Sequence, residues 1–400
     1  MLSKGAIGNL LNRYRSVLRK CFLLNVFGSL AVAGLMTMGG STVSLAADTA
    51  YNGEPAAAVV GDGDRAIGGW NFTTAATADG NHADASPDMT ITGGTFSEIV
   101  GGNHVIIPGG GAQGNPASIV IGDTRTEIRD TQGVQYVVGG SKADNAHVAL
   151  QNGKATLTVN GGTDIAQNGM FVGGSLLRAT GNPGAGEPAN STAQTASTEL
   201  FINDGTFAGT VIGGSAALDD TTYPGASGTV APQLSVTDGD TTTTISGGSF
   251  AKSAGLNAAI VGGGLASGTG AQSTVTGTAS LIITGGTFNG NIHAGAATIN
   301  GGTASVTNSV LKFMDGNSKI SGLSAVYGGG LDSGVSGTLT TEISGLVTGT
   351  PSLKTGIYGG SKAAAKGIAL EDGNVVMTVS DSTCVPMCEL PEAPLVRAAH

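Results

Sequence analysis

The octapeptide ITGGTFNG at residues 283–290 recurs with small changes along most of the 400-residue chain. In each copy an apolar residue precedes a polar residue and one or two glycines, and most copies continue with Thr or Ser and then Phe. The other copies are ITGGTF at 91–96, VNGGT at 159–163, INDGTF at 202–207, ISGGSF at 245–250 and a degenerate ISG at 343–345. Recurrence of one short motif over this length is typical of a repeat protein.

A second signature, an apolar pair followed by a glycine doublet, lies between successive copies. It reads IVGG at 99–102, VVGG at 137–140, FVGG at 171–174, VIGG at 211–214, IVGG at 260–263, IHAG at 292–295, VYGG at 326–329 and IYGG at 357–360. The spacing varies from 31 residues between Gly328 and Gly359 to 49 residues between Gly213 and Gly262. The unit is therefore a structural repeat with insertions, not a tandem copy of fixed length.

The unit predicts short strands joined by sharp turns. Apolar and β-branched runs such as SLII at 280–283 end at glycines, which accept a positive φ without a Cβ clash. One unit cannot bury its apolar face alone, whereas stacked units form a continuous core. We therefore predict an all-β fold, a right-handed parallel β-helix (a β-solenoid) with about eight or nine coils over residues 88–381. The alternative, a disordered glycine-rich chain, is disfavoured by the regularly placed Val, Ile and Phe.

Stacking in register would place equivalent residues of successive coils about 4.8 Å apart. We expect two columns of side chains from this geometry. The first is an internal stack of phenylalanines, formed by Phe96, Phe207, Phe250 and Phe288. The second is a polar ladder at the turn, formed by Thr92, Asn160, Asn203, Ser246, Thr284 and Ser344.

The regions flanking the repeats have different compositions. Residues 1–46 predict a signal peptide, with a basic start, an apolar stretch and a small-residue cleavage site at Ser44–Ala46. An uncleaved membrane anchor is the alternative. Residues 47–87 predict an N-terminal leader or cap, and 382–400 a tail in which Cys384 and Cys388 can form a disulfide.

Charge and motif content exclude several functions. The chain carries 18 Lys and Arg against 28 Asp and Glu, a net charge of −10, so nucleic acid is not an expected partner. We find no catalytic, cofactor or metal motif and expect no cofactor; Asp-Gly-Asp at 238–240 is typical of turns rather than calcium loops. A polysaccharide-active enzyme is the alternative, with Arg125 and Arg129 beside Glu127 and Asp130 as its densest charged cluster.

The long signal peptide, acidic low-cysteine composition and Gly-Gly-Thr-Phe repeats resemble the passenger domain of a Gram-negative type V autotransporter. The resemblance implies a β-helical adhesin that is exported through the periplasm to the cell surface or medium. It also implies partners that are surface proteins or glycans of host or bacterial cells. That family ends in a β-barrel translocator, so we expect contact with the outer membrane only through a translocator that is not in this chain. A structural surface-layer component is a further alternative.

The apolar pair before each doublet suggests where a ligand would bind. Its first residue is always apolar, which marks a core position, and alternation along a strand should turn the second residue outward. The second residue is Val or Ile in five units and becomes His293, Tyr327 and Tyr358 in the last three. These rings predict an exposed stripe for sugars or apolar patches, unless they are only bulky packing residues. Loops at 176–197 and 216–232 are second candidates, with Glu187, Asp219, Asp220 and Tyr223.

Overall fold

The structure is a computed structural model. It describes residues 50–51, 54–55, 65–69, 71–72, 86–105, 117–120, 122–144, 148–179, 191–219, 233–252, 258–314, 320–345, 353–363 and 373–382. All of these belong to one compact unit, Leu45–His400. The described residues form strands and turns and contain no helix, so the all-β prediction is confirmed.

The strands are short in general, and the longest span 13 residues. In chain order they are β1 Ala50–Tyr51, β2 Glu54–Pro55, β3 Arg65–Ile67, β4 Asn71–Phe72, β5 Asp88–Thr92, β6 Glu98–Val100, β7 His104–Val105, β8 Ala117–Val120, β9 Thr124–Arg129, β10 Val134–Val138, β11 Lys142–Asp144, β12 Val148–Asn160, β13 Asp164–Val172, β14 Leu176–Ala179, β15 Ser191–Ile202, β16 Thr206–Phe207, β17 Thr210–Ile212, β18 Ala216–Asp219, β19 Gln233–Thr237, β20 Thr241–Ile245, β21 Ser249–Ala251, β22 Ala258–Val261, β23 Leu265–Ser267, β24 Ala271–Ile283, β25 Gly286–Asn289, β26 Asn291–His293, β27 Ala297–Ile299, β28 Thr303–Met314, β29 Ile320–Ser321, β30 Leu323–Tyr327, β31 Gly334–Val335, β32 Thr338–Ser344, β33 Leu353–Tyr358 and β34 Asn374–Ser380.

Three large sheets hold all of these strands except β1 and β2, which pair with each other in antiparallel orientation. Sheet I has 13 strands and contains β3, β6, β10, β13, β16, β17, β21, β22, β25, β26, β29, β30 and β33. Sheet II has seven strands and contains β4, β7, β11, β14, β18, β23 and β27. Sheet III has 12 strands and contains β5, β8, β9, β12, β15, β19, β20, β24, β28, β31, β32 and β34. The described strand pairs within the three sheets are all parallel, for example β12 with β15.

The chain enters the three sheets in a fixed order. Strands β10, β11 and β12 belong to sheets I, II and III, and β13, β14 and β15 repeat that order. Each strand pairs with its counterpart one repeat later: Val137 lies opposite Phe171, Lys142 opposite Leu176, and Leu157 opposite Leu200. Because parallel strands need long crossover connections, one repeat of sequence separates each pair.

The largest hydrophobic core lies between sheets I and III, and the predicted phenylalanine stack is part of it. The rings of Phe207 and Phe250 are parallel with centroids 4.8 Å apart, and those of Phe250 and Phe288 are 4.9 Å apart. Phe171 meets Phe207 edge to face at 5.4 Å, and Phe96 is buried in the same core. The stack is therefore confirmed for Phe207, Phe250 and Phe288, at the spacing of neighbouring strands.

The polar ladder is confirmed over three repeats. Asn203 Nδ2 donates to Asn160 Oδ1 at 2.6 Å, and Ser246 Oγ donates to Asn203 Oδ1 at 2.9 Å. The column is interrupted in other repeats, because Arg129 lies between Thr92 and Asn160 in the register. The turn therefore forms in some repeats without a small polar side chain in this column.

A second apolar core lies on the opposite face of sheet I, and it contradicts one expectation. Val100, Val138, Val172, Ile212 and Val261, the second residues of the apolar pairs, do alternate away from the first core but are buried, not exposed. They pack against side chains of sheet II such as Leu176 and Leu265. Sheet II therefore covers the face of sheet I that the sequence pattern predicted to be open.

Glycines are needed for two different reasons. In the ITGGTF motif, Gly286 has a φ of 118°, which residues with a side chain rarely adopt. A Cβ there would also lie 3.0 Å from the Phe288 ring, so this position requires glycine. In the doublets the reason is close approach of backbones, because a Cβ on the first glycine would overlap the carbonyl oxygen of its counterpart in the next repeat. The doublets thus allow neighbouring repeats to touch.

The connections from sheet II to sheet III differ greatly in length. Three residues join β23 to β24, while 220–232 join β18 to β19 and 180–190 join β14 to β15. The expected loops at 176–197 and 216–232 are shorter than predicted, because Leu176–Ala179 and Ala216–Asp219 form paired strands. Sheets I and II also extend into the predicted leader, where β3 and β4 pair with β6 and β7.

Candidate functional site

The densest group of ionisable side chains lies at the N-terminal end of the second core. We call it the charge cluster; it comprises Arg65, Glu98, His104, Lys142 and Asp144. Lys142 Nζ donates to Glu98 Oε1 at 3.0 Å and to Asp144 Oδ2 at 2.7 Å. Arg65 Nε lies 3.1 Å from Glu98 Oε2. Sheet I supplies Arg65 and Glu98, whereas sheet II supplies the other three, so the cluster joins the two sheets.

His104 completes the charge cluster from strand β7. Its Nε2 lies 3.0 Å from Asp144 Oδ2 and 3.3 Å from Lys142 Nζ. The same nitrogen can therefore donate to the carboxylate or accept from the ammonium group, depending on the tautomer. His104 Nδ1 and Asp144 Oδ1 are buried and have no hydrogen-bond partner among the described residues.

Burial and charge together determine the protonation of this cluster. Burial lowers the pKa of His104, the charge of Lys142 lowers it further, and the hydrogen bond with Asp144 opposes both. Burial alone would raise the pKa of Asp144, but the hydrogen bond with His104 and the charge of Lys142 outweigh it and lower that pKa to about 2. At neutral pH Asp144 is therefore ionised and His104 is predominantly neutral.

The central side chains of the charge cluster are closed off from solvent, although Arg65 at its edge is 38% exposed. Lys142 and His104 are fully buried, and the guanidinium of Arg178 covers the ring of Tyr136 at 4.8 Å, beside Lys142 at 5.5 Å. A solute cannot reach the ammonium or imidazole unless sheets I and II separate. The geometry supports an internal ionic link between the sheets more than a catalytic centre.

Motif searches missed the charge cluster, although the sequence carries a signal for it. The residue two places after each glycine doublet faces the second core and is apolar in most repeats: Leu176, Ala216, Leu265, Ala297 and Leu331. The first two repeats with a doublet carry His104 and Lys142 there, and the last carries Lys362. The charged or ionisable residues at a position that is apolar in most repeats were the signal in the sequence that pointed to the charge cluster.

The predicted aromatic residues do come together, at the C-terminal end of the same core. We call His293, Tyr327 and Tyr358 the aromatic ladder. The rings of His293 and Tyr327 are parallel with centroids 4.8 Å apart, and those of Tyr327 and Tyr358 are 4.9 Å apart. Strands β26, β30 and β33 of sheet I, paired in register, hold them.

The expectation that His293 points into solvent is wrong. His293 is fully buried, because sheet II covers this position as it covers Val261 one repeat earlier. Burial, helped by the nearby charge of Lys362, lowers the pKa of His293 to about 3. The imidazole is therefore neutral at physiological pH and is a packing group, not a contact for ligands.

The other two rings of the ladder remain partly accessible. Tyr327 and Tyr358 are half-buried, and Lys362 Nζ lies 5.9 Å from the centre of the Tyr327 ring. Burial raises the pKa of Tyr327, and the neighbouring Tyr358 raises it further, so Tyr327 keeps its hydroxyl proton at neutral pH. The result is a pair of stacked phenol rings with an adjacent cation.

The remaining predicted contacts do not reinforce this site. Glu187, Asp220 and Tyr223 lie outside the described residues. Asp219 ends strand β18, where its backbone is paired with Ala179 of β14. These four residues therefore add no described side chain to the aromatic ladder.

The charged row proposed for a polysaccharide-active enzyme lies on sheet III. Arg125 and Arg129 are exposed on strand β9, and Arg129 lies 3.6 Å from Glu127, which also accepts a hydrogen bond from Asn160. Alternating charges along one strand are typical of a solvated face. No group of three or more metal-ligating side chains occurs among the described residues.

Comparison with known proteins leaves the chain without an assigned relative. It matches no protein-family profile, no curated protein and no solved structure. The described part of the chain contains no helix with the length and hydropathy needed to cross a bilayer. Its function must therefore be argued from its own residues.

Proposed function

We propose that the protein is an adhesin-like binding protein built on a single right-handed parallel β-helix. The β-helix is supported by the fixed order in which the chain enters sheets I, II and III, and by the parallel pairing of each strand with its counterpart one repeat later. The stacked phenylalanines at 4.8 and 4.9 Å add support, because that spacing is expected of successive coils. Each coil is then one turn through the three sheets.

The binding role is carried by the accessible part of the aromatic ladder. Tyr327 and Tyr358 present two parallel phenol rings that are half-buried and thus pre-organised, with Lys362 beside them. Rigid aromatic faces pack against sugar rings or apolar patches and lose little side-chain entropy on binding. The ligand we propose is a glycan or protein on the surface of a host or bacterial cell. An acidic chain with a net charge of −10 is unsuited to nucleic acid.

The proposal also includes export. The basic and apolar residues 1–46 would direct the chain through the periplasm to the cell surface or medium, as in the passenger domains that the sequence resembles. Mass spectrometry of the exported protein tests this part, since cleavage after Ala46 leaves Ala47 as its first residue.

A double substitution tests the binding surface. Replacing Tyr327 and Tyr358 by Thr removes both accessible rings but leaves the buried His293, and we expect binding to mucin and cell surfaces to weaken at least about tenfold. Phe201→Thr is the matched control, because Phe201 is a partly buried aromatic residue on sheet III, away from the ladder. If a folded double variant attaches as strongly as the wild type, the aromatic ladder is not the ligand contact.

A further inference from the structure

The terminal strand of sheet III has unusual side-chain exposure. Strand β34 pairs on one side with β32 and is the last strand in the order of its sheet. Its residues Val375, Val376 and Val379 are 47%, 48% and 48% exposed. Together with Met314 at 45%, which lies one strand beyond β32, they are the large apolar side chains that are most exposed in the described part of the chain.

The register shows that two of these valines belong to columns that are buried elsewhere. Val379 lies opposite Ile343, and the preceding members of that column are Phe313, Ile283 and Ile245, all at most 3% exposed. Val375 lies opposite Leu339, which is fully buried. The first core is thus open at β34, where Val375, Met377 and Val379 face inward with no further strand described over them.

The sequence of β34 is close to palindromic in its chemistry. Asn374 and Ser380 are its polar ends, Val375 and Val379 are equidistant from its centre, and Met377 is the central residue. An antiparallel pairing about Met377 would place Val375 opposite Val379 and Met377 opposite itself. Because side chains alternate between faces, this register keeps the inward column of one strand against the inward column of the other.

We propose that β34 is a docking edge for a second copy of the chain, which pairs with it in antiparallel orientation about a two-fold axis at Met377. A two-fold interface requires one surface to complement itself, and β34 does so in hydropathy. The strand itself contains no charged residue, and the exposed Asp381 follows its polar end. The nearest ion pair, Lys312 with Glu342 at 2.9 Å, is neutralised within each copy.

The surroundings of β34 fit a strand partner. A groove of about 480 Å³ beside it is lined by the apolar Phe313, Met314 and Ile343 together with Glu342 and the hydroxyl residues Ser344, Thr378 and Ser380. An uncovered strand edge offers a row of backbone donors and acceptors to another strand, and soluble proteins usually protect such edges with Lys, Pro or bulges. Strand β34 has none of these protections. The inference does not rest on the proposed binding function.

Sedimentation velocity of the purified full-length chain tests the proposal. We expect a closed dimer that neither grows into larger assemblies nor depends on a glycan. Val376→Lys places a charge on the edge and should raise the dimer dissociation constant about tenfold or more. Thr340→Lys is the matched control, because Thr340 is the neighbour of Val376 on β32 and should leave the dimer intact. A monomeric wild-type chain, or a dimer unaffected by Val376→Lys, would overturn the proposal.

A cross-link tests the register independently of stability. In a chain whose Cys21, Cys384 and Cys388 are replaced by Ser, Met377→Cys should form a disulfide-linked dimer on mild oxidation, because directly opposed Cα atoms of antiparallel strands lie about 4.5 to 5.5 Å apart, a separation that a disulfide can bridge. Thr340→Cys in the same background should not. Loss of the cross-link in a folded Met377→Cys variant would exclude the two-fold axis at this residue, and hence the proposed pairing.

Discussion

The carbonyl oxygen of Gly262 occupies the space that a Cβ on Gly213 would need, so these two residues of successive repeats are in direct backbone contact. Gly213 N also donates to the carbonyl of Val261 at 2.8 Å, which fixes the two backbones at this distance. A side chain at Gly213 can be accommodated only if the repeats separate. The glycine doublets therefore permit an approach of neighbouring repeats that a side chain would prevent.

We predict that Gly213→Ala lowers the free energy of unfolding by at least about 3 kcal/mol, the upper end of overpacking costs. Urea unfolding followed by circular dichroism measures this change. Gly360→Ala is the control, because a Cβ at Gly360 would have no atom within 4 Å. The control should change stability by less than about 0.5 kcal/mol. Equal effects of the two substitutions would contradict the close-approach explanation.

Truncation of the phenylalanine stack should be costly. Phe207 is fully buried between Phe171 and Phe250, and Phe207→Ala should lose about 3 to 5 kcal/mol of unfolding free energy. Phe288→Ala should behave similarly, since Phe288 stacks on Phe250. Phe201→Ala, on the outer side of sheet III, is the matched control and should lose less. A loss below about 1 kcal/mol at Phe207 would show that the core does not depend on the stack.

The charge cluster should respond differently to partial and complete replacement. Lys142→Leu alone leaves Glu98 and Asp144 as buried carboxylates with no ammonium partner, which should cost about 3 to 5 kcal/mol. Adding Glu98→Met, His104→Leu and Asp144→Leu supplies the residue types that later repeats carry in these columns, and should restore most of the loss. Urea midpoints of the single and fourfold variants compare the two. A fourfold variant less stable than Lys142→Leu would contradict this.

Acid should destabilise the protein through His293. Its folded pKa of about 3 lies below the ordinary value of 6.5, so the unfolded chain binds the extra proton as the pH falls below 6.5. Stability from this residue is complete above pH 6.5 and is lost between that pH and the folded pKa, at up to about 1.4 kcal/mol per pH unit.

Replacing the imidazole by a ring that cannot ionise isolates that contribution. We expect His293→Phe to keep the contact with Tyr327 and to lose less stability than the wild type between pH 7 and pH 4.5. The pH dependence of the urea midpoint measures the difference. Because Asp144 titrates near pH 2, it contributes little in this range. Parallel pH profiles for the two proteins would show that His293 is not the sensitive group.

The sequence predicted features that recur in several successive units. The strands, the stacking of Phe207, Phe250 and Phe288 and the ladder from Asn160 to Ser246 follow from one local motif and the spacing of β-strands. Alternation of side chains along the strands also correctly placed the first and second residues of each apolar pair on opposite faces of sheet I. These inferences needed no knowledge of how the sheets pack.

The errors came from contacts between sheets. His293 was predicted to be exposed because a period of two specifies the face of a strand, not what covers that face. Sheet II, whose strands are only two to four residues long, has too few residues for a periodic signal. The charge cluster was missed for the same reason, since Glu98 and Lys142 meet only when sheets I and II pack together.

The unequal connections between sheets II and III have one more consequence. Each long connection is bounded by strands that are held on both sides: β18 pairs with β14 and β23, and β19 pairs with β15 and β24. The number of residues between β18 and β19 is therefore not needed to specify the fold, as the three-residue connection from β23 to β24 illustrates. A foreign peptide grafted in place of 220–232 would be presented from a fixed position. The connections between sheets II and III can thus vary in sequence while the stacked repeats stay the same.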